Sequence, residues 1–169
     1  MPNRSLRWLV GRSLDAALWR PSHALLLRDQ LFRADRNQAA GYSDLDHLVA
    51  AAEWLARAQD VTADGGVSGR YSLRNGWSSS YPETTGYIIP TFLALAGHVD
   101  TNFYERAGRC ASFLRSIQLA DGAFPGGELH ENRTRPSVFN TAQILHGLVA
   151  WHSATGDIDT AESASRAAN

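Results

Sequence analysis

The chain has 169 residues, 44% of them hydrophobic and 20% charged, which is the size and balance of one globular domain with a real core. Its formal net charge of −1 hides a slope: residues 1–40 hold seven Arg and three Asp, and the remainder holds nine Arg against fourteen acids. No basic stripe with interleaved aromatics runs through the body, which argues against nucleic acid. No apolar run reaches the ~18 residues of a stable membrane span. All sixteen basic residues are Arg, which excludes a Schiff-base lysine. Cys110 is the single cysteine, which excludes a disulfide framework and a cysteine-based zinc cluster.

Residues 1–40 read as an N-terminal helical cap or extension. One helix is expected around Leu6 to Leu18, and a second is carried by Leu25, Leu26, Leu27, Leu31 and Phe32. Arg12 and Asp15 interrupt the first apolar stretch and no small-residue cleavage site follows, so the reading is a cytoplasmic helix rather than a leader.

From residue 41 onward the chain repeats itself. Trp54-Leu55 followed by three residues and Gln59 matches Phe113-Leu114, three residues and Gln118 at an offset of 59. Asp64-Gly65 matches Asp121-Gly122 at 57, and Thr85-Gly86-Tyr87 matches Thr141-Ala142-Gln143 at 56. Each unit reads helix, glycine-containing loop, helix. Leu45, Leu48, Val49, Ala52 and Leu55 fall on one helical face, introduced by a Ser43–Asp46 cap. Ile88, Phe92 and Leu95 mark the second helix, Ala107, Cys110, Leu114 and Ile117 the third, and Leu145, Leu148, Val149 and His152 the fourth. The units span about 43–98 and 100–155. Gly156-Asp157-Ile158-Asp159-Thr160 repeats Gly97 to Thr101, so a third unit is expected to start at 157. The expectation is an all-α chain of helical hairpins, truncated inside its third repeat, whose partners include the remaining repeats of a longer protein.

Gly108 to Phe124 resembles the QW-type repeat of the terpenoid cyclase and protein prenyltransferase superfamily, with Phe124 where that repeat carries Trp. The resemblance implies part of an α/α toroid, in which outer and inner helices alternate around a cavity. It implies that the Gln binds the backbone of the next loop while the aromatic packs on a neighbouring helix. The Asp-rich acid motif of the cyclases has no counterpart beyond Asp44-Leu45-Asp46-His47, and Cys110 lies inside an outer helix rather than at a zinc site. Glu83-Thr84-Thr85-Gly86 is similar to the helix entrance of unsaturated glucuronyl hydrolases, which are α/α-barrel sugar enzymes.

The stretch SYPETTGYIIP (residues 80–90) carries the candidate chemistry. Pro82 and Glu83 make a good first helical turn, which capping alone accounts for. Capping does not account for the tyrosines and tryptophan of the same loop. Glu83 and His146 are the candidate catalytic groups. Tyr71, Arg74, Trp77, Tyr81, Tyr87 and Asn140 are the candidate substrate-binding groups: the aromatics can stack on sugar faces, and Arg70, Arg74 and Glu83 can bind hydroxyls or carboxylates. His146 reads more readily as a core or cavity histidine than as a catalytic base. Asp64 and Asp121 precede glycines and read as turn residues. Glu128, His130 and Glu131 share one loop and give weak metal geometry, so no metal is expected. The glycine pairs lack the spacing of a phosphate loop, so no nucleotide cofactor is expected either. Three functions stay open: a glycan- or polysaccharide-acting bacterial enzyme, an isoprenoid-binding cyclase- or prenyltransferase-like enzyme, and a non-catalytic helical-repeat interaction module.

Overall fold

A computed structural model describes residues 10–12, 17, 19–32, 41–100, 102–129 and 135–168. His130 and Glu131, and most of the helix expected between Leu6 and Leu18, lie outside these residues. The described chain is mostly helical, in the order α1 (Pro21–Phe32), α2 (Asp44–Asp60), β1 (Tyr71–Ser72), β2 (Gly76–Trp77), α3 (Pro82–His98), α4 (Asn102–Ile117), α5 (Val138–Thr155) and α6 (Ile158–Ala168). Among the described residues no helix is long and apolar enough to cross a membrane.

The helix starts are locally encoded. Ser43 closes a capping box with Asp46: Asp46 N–H donates to Ser43 Oγ at 3.2 Å, and Ser43 N–H donates to Asp46 Oδ2 at 2.7 Å. The backbone and hydroxyl bonds from Ser43 hold the Asp46 carboxyl below the usual range, so this residue caps a helix. Tyr81 precedes α3 without a side-chain cap bond, and Pro82 opens the helix, where its missing N–H costs nothing. Asp157 opens α6 by accepting from Thr160 N–H and from Thr160 Oγ1, the latter at 2.8 Å.

The core lies where α3, α4 and α5 meet. Ile89, Phe92, Leu114, Phe124, Ile144 and Leu148 are fully buried there, and the Phe92 and Phe103 rings lie 5.5 Å apart. Two expected faces shift. Leu45 and Leu48 in the first turns of α2 are exposed, because α2 is covered only from Ala52 onward. On α5 the buried stripe is Ile144, Gly147 and Leu148, and Val149 is exposed. The reason is that α3 approaches α5 along Gly147.

The sequence match recurs as a set of bonds. Gln59 Nε2 donates to Gly65 O (2.9 Å) and Arg106 O (3.0 Å). Gln118 Nε2 donates to Gly122 O and Ser163 O, both at 2.8 Å. Val67 N–H donates to Thr85 Oγ1 as Phe124 N–H donates to Thr141 Oγ1. Asp64 Oδ1 accepts from Gly66 N–H as Asp121 Oδ1 accepts from Ala123 N–H, so both aspartates form turns. Gly65 and Gly122 both sit at φ +87°, the left-handed region that favours glycine.

Candidate functional site

The loops that precede α3 and α5 place the ends of these helices side by side. Arg70 Nη2 of the first loop pairs with Glu128 Oε1 of the second at 3.0 Å. Just inside the two mouths the helices touch: a Cβ on Gly86 would lie 2.6 Å from Ile144 Cα. Glu83 stands three residues before Gly86 and Asn140 four before Ile144, so the two occupy the same level of a parallel helix pair.

Glu83 is half-buried, and among the described residues none donates a hydrogen bond or ion pair to its carboxylate. Asn140 is 5% exposed. Its Oδ1 accepts from Ser137 Oγ at 3.0 Å and its backbone N–H donates to the same Ser137 Oγ at 3.3 Å, while its Nδ2 has no partner among the described residues. A buried amide donor left unbonded costs on the order of 1–3 kcal/mol. Tyr87 is exposed beside them, its hydroxyl 3.4 Å from Thr84 Oγ1. The mouth thus offers the Glu83 carboxylate and the Tyr87 hydroxyl, while the unbonded Asn140 Nδ2 is enclosed out of contact with solvent.

The other expected site residues are elsewhere or otherwise engaged. Tyr71 and Trp77 face each other across the β1–β2 ribbon with ring centroids 5.1 Å apart. Trp54 of α2 completes their cluster, 4.6 Å from Trp77, and His23 Nε2 of α1 lies 3.2 Å from Tyr71 Oη. The ring faces meant for sugars are therefore largely spent on each other. Arg74 sits at the tip of the same ribbon, and Tyr81 packs against Gly69, where any Cβ would come within 2.9 Å of the Tyr81 Cβ. His146 is exposed rather than a core histidine. It lies six residues beyond Asn140, roughly 9 Å along the axis at the α-helical rise, so the fold does not bring it within hydrogen-bond reach of Glu83. Trp54 enters the sequence reading only as part of the repeat and His23 not at all; the aromatic excess near Trp77 is the signal that pointed toward their cluster.

Two other features complete the surface. A groove of about 780 Å³ runs along α4, lined by Asp64, Tyr104, Arg109, Trp151 and Asp157, with the Tyr104 and Trp151 rings 5.2 Å apart. An apolar slot of about 480 Å³ opens between α5 and α6. Among the described residues no group of three His, Cys, Asp or Glu side chains gathers to hold a metal ion. Burial pushes the Cys110 thiol up to about 12, so it is a thiol, not a nucleophilic thiolate, at neutral pH. Compared with protein-family models, curated proteins and solved structures, the chain matches none.

Proposed function

We propose that the chain forms part of an α/α-toroid domain of the QW-repeat kind, and that the paired mouths of α3 and α5 bind a glycan or polysaccharide intermediate on which the protein acts. The observation that carries this reading is the half-buried, unbonded Glu83 carboxylate beside the exposed Tyr87 at the mouth of α3, with the enclosed, unbonded Nδ2 of Asn140 on the adjacent helix. A sugar hydroxyl donates to the Glu83 carboxylate, and the enclosed Asn140 Nδ2 gains a second hydroxyl as partner only where the mouth opens around the ligand. Tyr87 supplies an exposed ring beside them for a sugar face. The recurrence of the Gln–backbone bonds supports the toroid part of the proposal.

An isoprenoid ligand is the second reading, because Val138 and Phe139 are 90% and 62% exposed at the same mouth. It leaves Glu83 facing hydrocarbon without a partner, which is the costlier arrangement.

Thermal unfolding with uronic-acid oligosaccharides and with isoprenoid diphosphates separates the two. Asn140→Asp keeps the oxygen that Ser137 bonds and deletes the donor; Glu83→Gln deletes the charge. A saturating sugar at about 100 Kd stabilises by about 2.7 kcal/mol, roughly 5–10 °C for a chain of this size. That shift is expected in the unaltered chain and should vanish in both variants. Equal stabilisation of all three forms by the isoprenoid, with none by sugar, would overturn the glycan reading.

A further inference from the structure

We propose that Asn75 is a site of spontaneous covalent modification, deamidating through a cyclic imide with Gly76 to leave an isoaspartyl or aspartyl residue at the tip of the β1–β2 ribbon. Residues 75–76 are the single Asn-Gly pair of the chain. Ser72 pairs with Gly76 and Tyr71 with Trp77, so Leu73, Arg74 and Asn75 form the turn. Ser72 Oγ accepts from the Arg74 and Asn75 backbone N–H groups, both at 3.3 Å. Gly76 leaves the turn at φ +79°, with nothing within 4 Å of the place a Cβ would take. The turn therefore favours glycine there, and the glycine omits the side chain that would otherwise shield its nitrogen from the preceding carboxamide. Asn75 is exposed, and its carboxamide has no hydrogen-bond partner among the described residues.

The reaction needs only water. Hydroxide takes the proton of the Gly76 amide, and the nitrogen attacks Asn75 Cγ. The N–Cγ bond forms, the Cγ–Nδ2 bond breaks, and ammonia leaves with a proton from water, which restores the hydroxide. Water then opens the imide at either carbonyl, giving Asp or, with the backbone rerouted through Cβ, isoAsp. Each strand of the ribbon has two residues, and so short a ribbon is marginal by itself. Its tip can therefore release the Gly76 nitrogen without opening the helical core. The comparable positions are held or shielded. Asp64 and Asp121 also precede glycines, but they are carboxylates, which resist attack by an amide nitrogen. Asp64 Oδ1 accepts from Gly66 N–H and Ser80 Oγ, and Asp121 Oδ1 accepts from Ala123 N–H. Asn102 Nδ2 donates to Asp100 Oδ2 and is followed by the buried Phe103. Asn140 is itself buried and precedes Thr141. Either product adds a negative charge next to Arg74, and isoAsp also lengthens the backbone between the paired Ser72 and Gly76.

Peptide mapping by mass spectrometry tests this on the folded 169-residue chain, held in mildly alkaline native buffer and sampled over time. The mass gain of an NH2-to-OH exchange is expected in the peptide that contains Asn75, and the same peptide should become a methyl acceptor for an isoaspartyl methyltransferase. Peptides that contain Asn102 and Asn140 should keep their mass. Asn75→Gln, whose longer side chain closes only a larger and slower-forming imide, should lose both signals while its far-UV circular dichroism stays unchanged. A folded chain that keeps its mass and deamidates only in urea would overturn the proposal. So would a gain of equal rate at Asn102, or one that persists in Asn75→Gln.

Discussion

Gly86 and Gly147 meet at a helix crossing too close for any side chain. A Cβ on Gly86 would lie 2.6 Å from Ile144 Cα, and one on Gly147 would collide with the Gly86 carbonyl. The obstacles are backbone atoms, so only separation of α3 from α5 would relieve them. Gly86→Ala is therefore expected to destabilise by about 1–3 kcal/mol, although alanine is the better helix former. Gly97, on the same helix, has nothing within 4 Å of the place a methyl group would take, and Gly97→Ala should gain up to about 1 kcal/mol. Urea midpoints of the two variants give the comparison; equal shifts would mean that the close crossing contributes nothing. Cys110 makes a second residue-scale case. Burial raises its thiol from an ordinary value of 9.0 to about 12, so the unfolded chain ionises first. The stability it supports is complete below pH 9 and falls as pH rises from 9 toward 12. Denaturant midpoints at about pH 7 and about pH 10.5 (roughly 1.4 kcal/mol is lost per pH unit in that window) should show a fall that Cys110→Ala reduces.

The clasp at the end of each amphipathic helix is the part of the architecture most legible beforehand. An aromatic-Leu pair separated by three residues from a Gln announces a polar side chain at a helix end, and both glutamines do bond the following loop. Gln59 also receives Arg106 Nη1 and Arg109 Nη2 on its Oε1, at 3.2 and 3.1 Å. Gln59→Leu would leave the Gly65 and Arg106 carbonyls and two guanidinium donors without this partner. A loss of about 2–4 kcal/mol is expected from two unsatisfied buried groups, read as a lowered urea midpoint; Glu53→Gln, on the exposed side of the same helix, should change it by less than about 0.5 kcal/mol. Less was legible where the signal was short or depended on a neighbour. The β1–β2 ribbon has two residues per strand, too few for a period of two to show. It is made by Gly76 at φ +79° and by the Tyr71–Trp77 pair. Periodicity also identifies an apolar stripe without saying what covers it, which is why Leu45, Leu48 and Val149 were expected inside and lie outside. Glu83 and Asn140 could be named from sequence as helix-entrance residues. Their common level could not, because it depends on where Gly86 meets Ile144.

At the scale of the whole molecule, stability should follow the burial gradient along the chain. α3, α4 and α5 share the fully buried Ile89, Phe92, Leu114, Ile144 and Leu148, and a local opening of any of them exposes the others. α2 joins this core through Ala52, Ala58, the half-buried Leu55 and Ala56, and the Gln59 clasp, and its first two turns can open without disturbing it. α1 adds the His23–Tyr71 contact on a helix whose other described side chains are exposed. Backbone amides that open only with global unfolding exchange most slowly, whereas those in weakly packed segments exchange through local fluctuations. Native-state hydrogen exchange is therefore expected to be slowest over residues 88–95 and 144–148. It should be intermediate over 52–59 and fastest over 44–48 and 21–28. This order follows from burial alone, and one uniform exchange rate along the chain would mean that all the helices open only together.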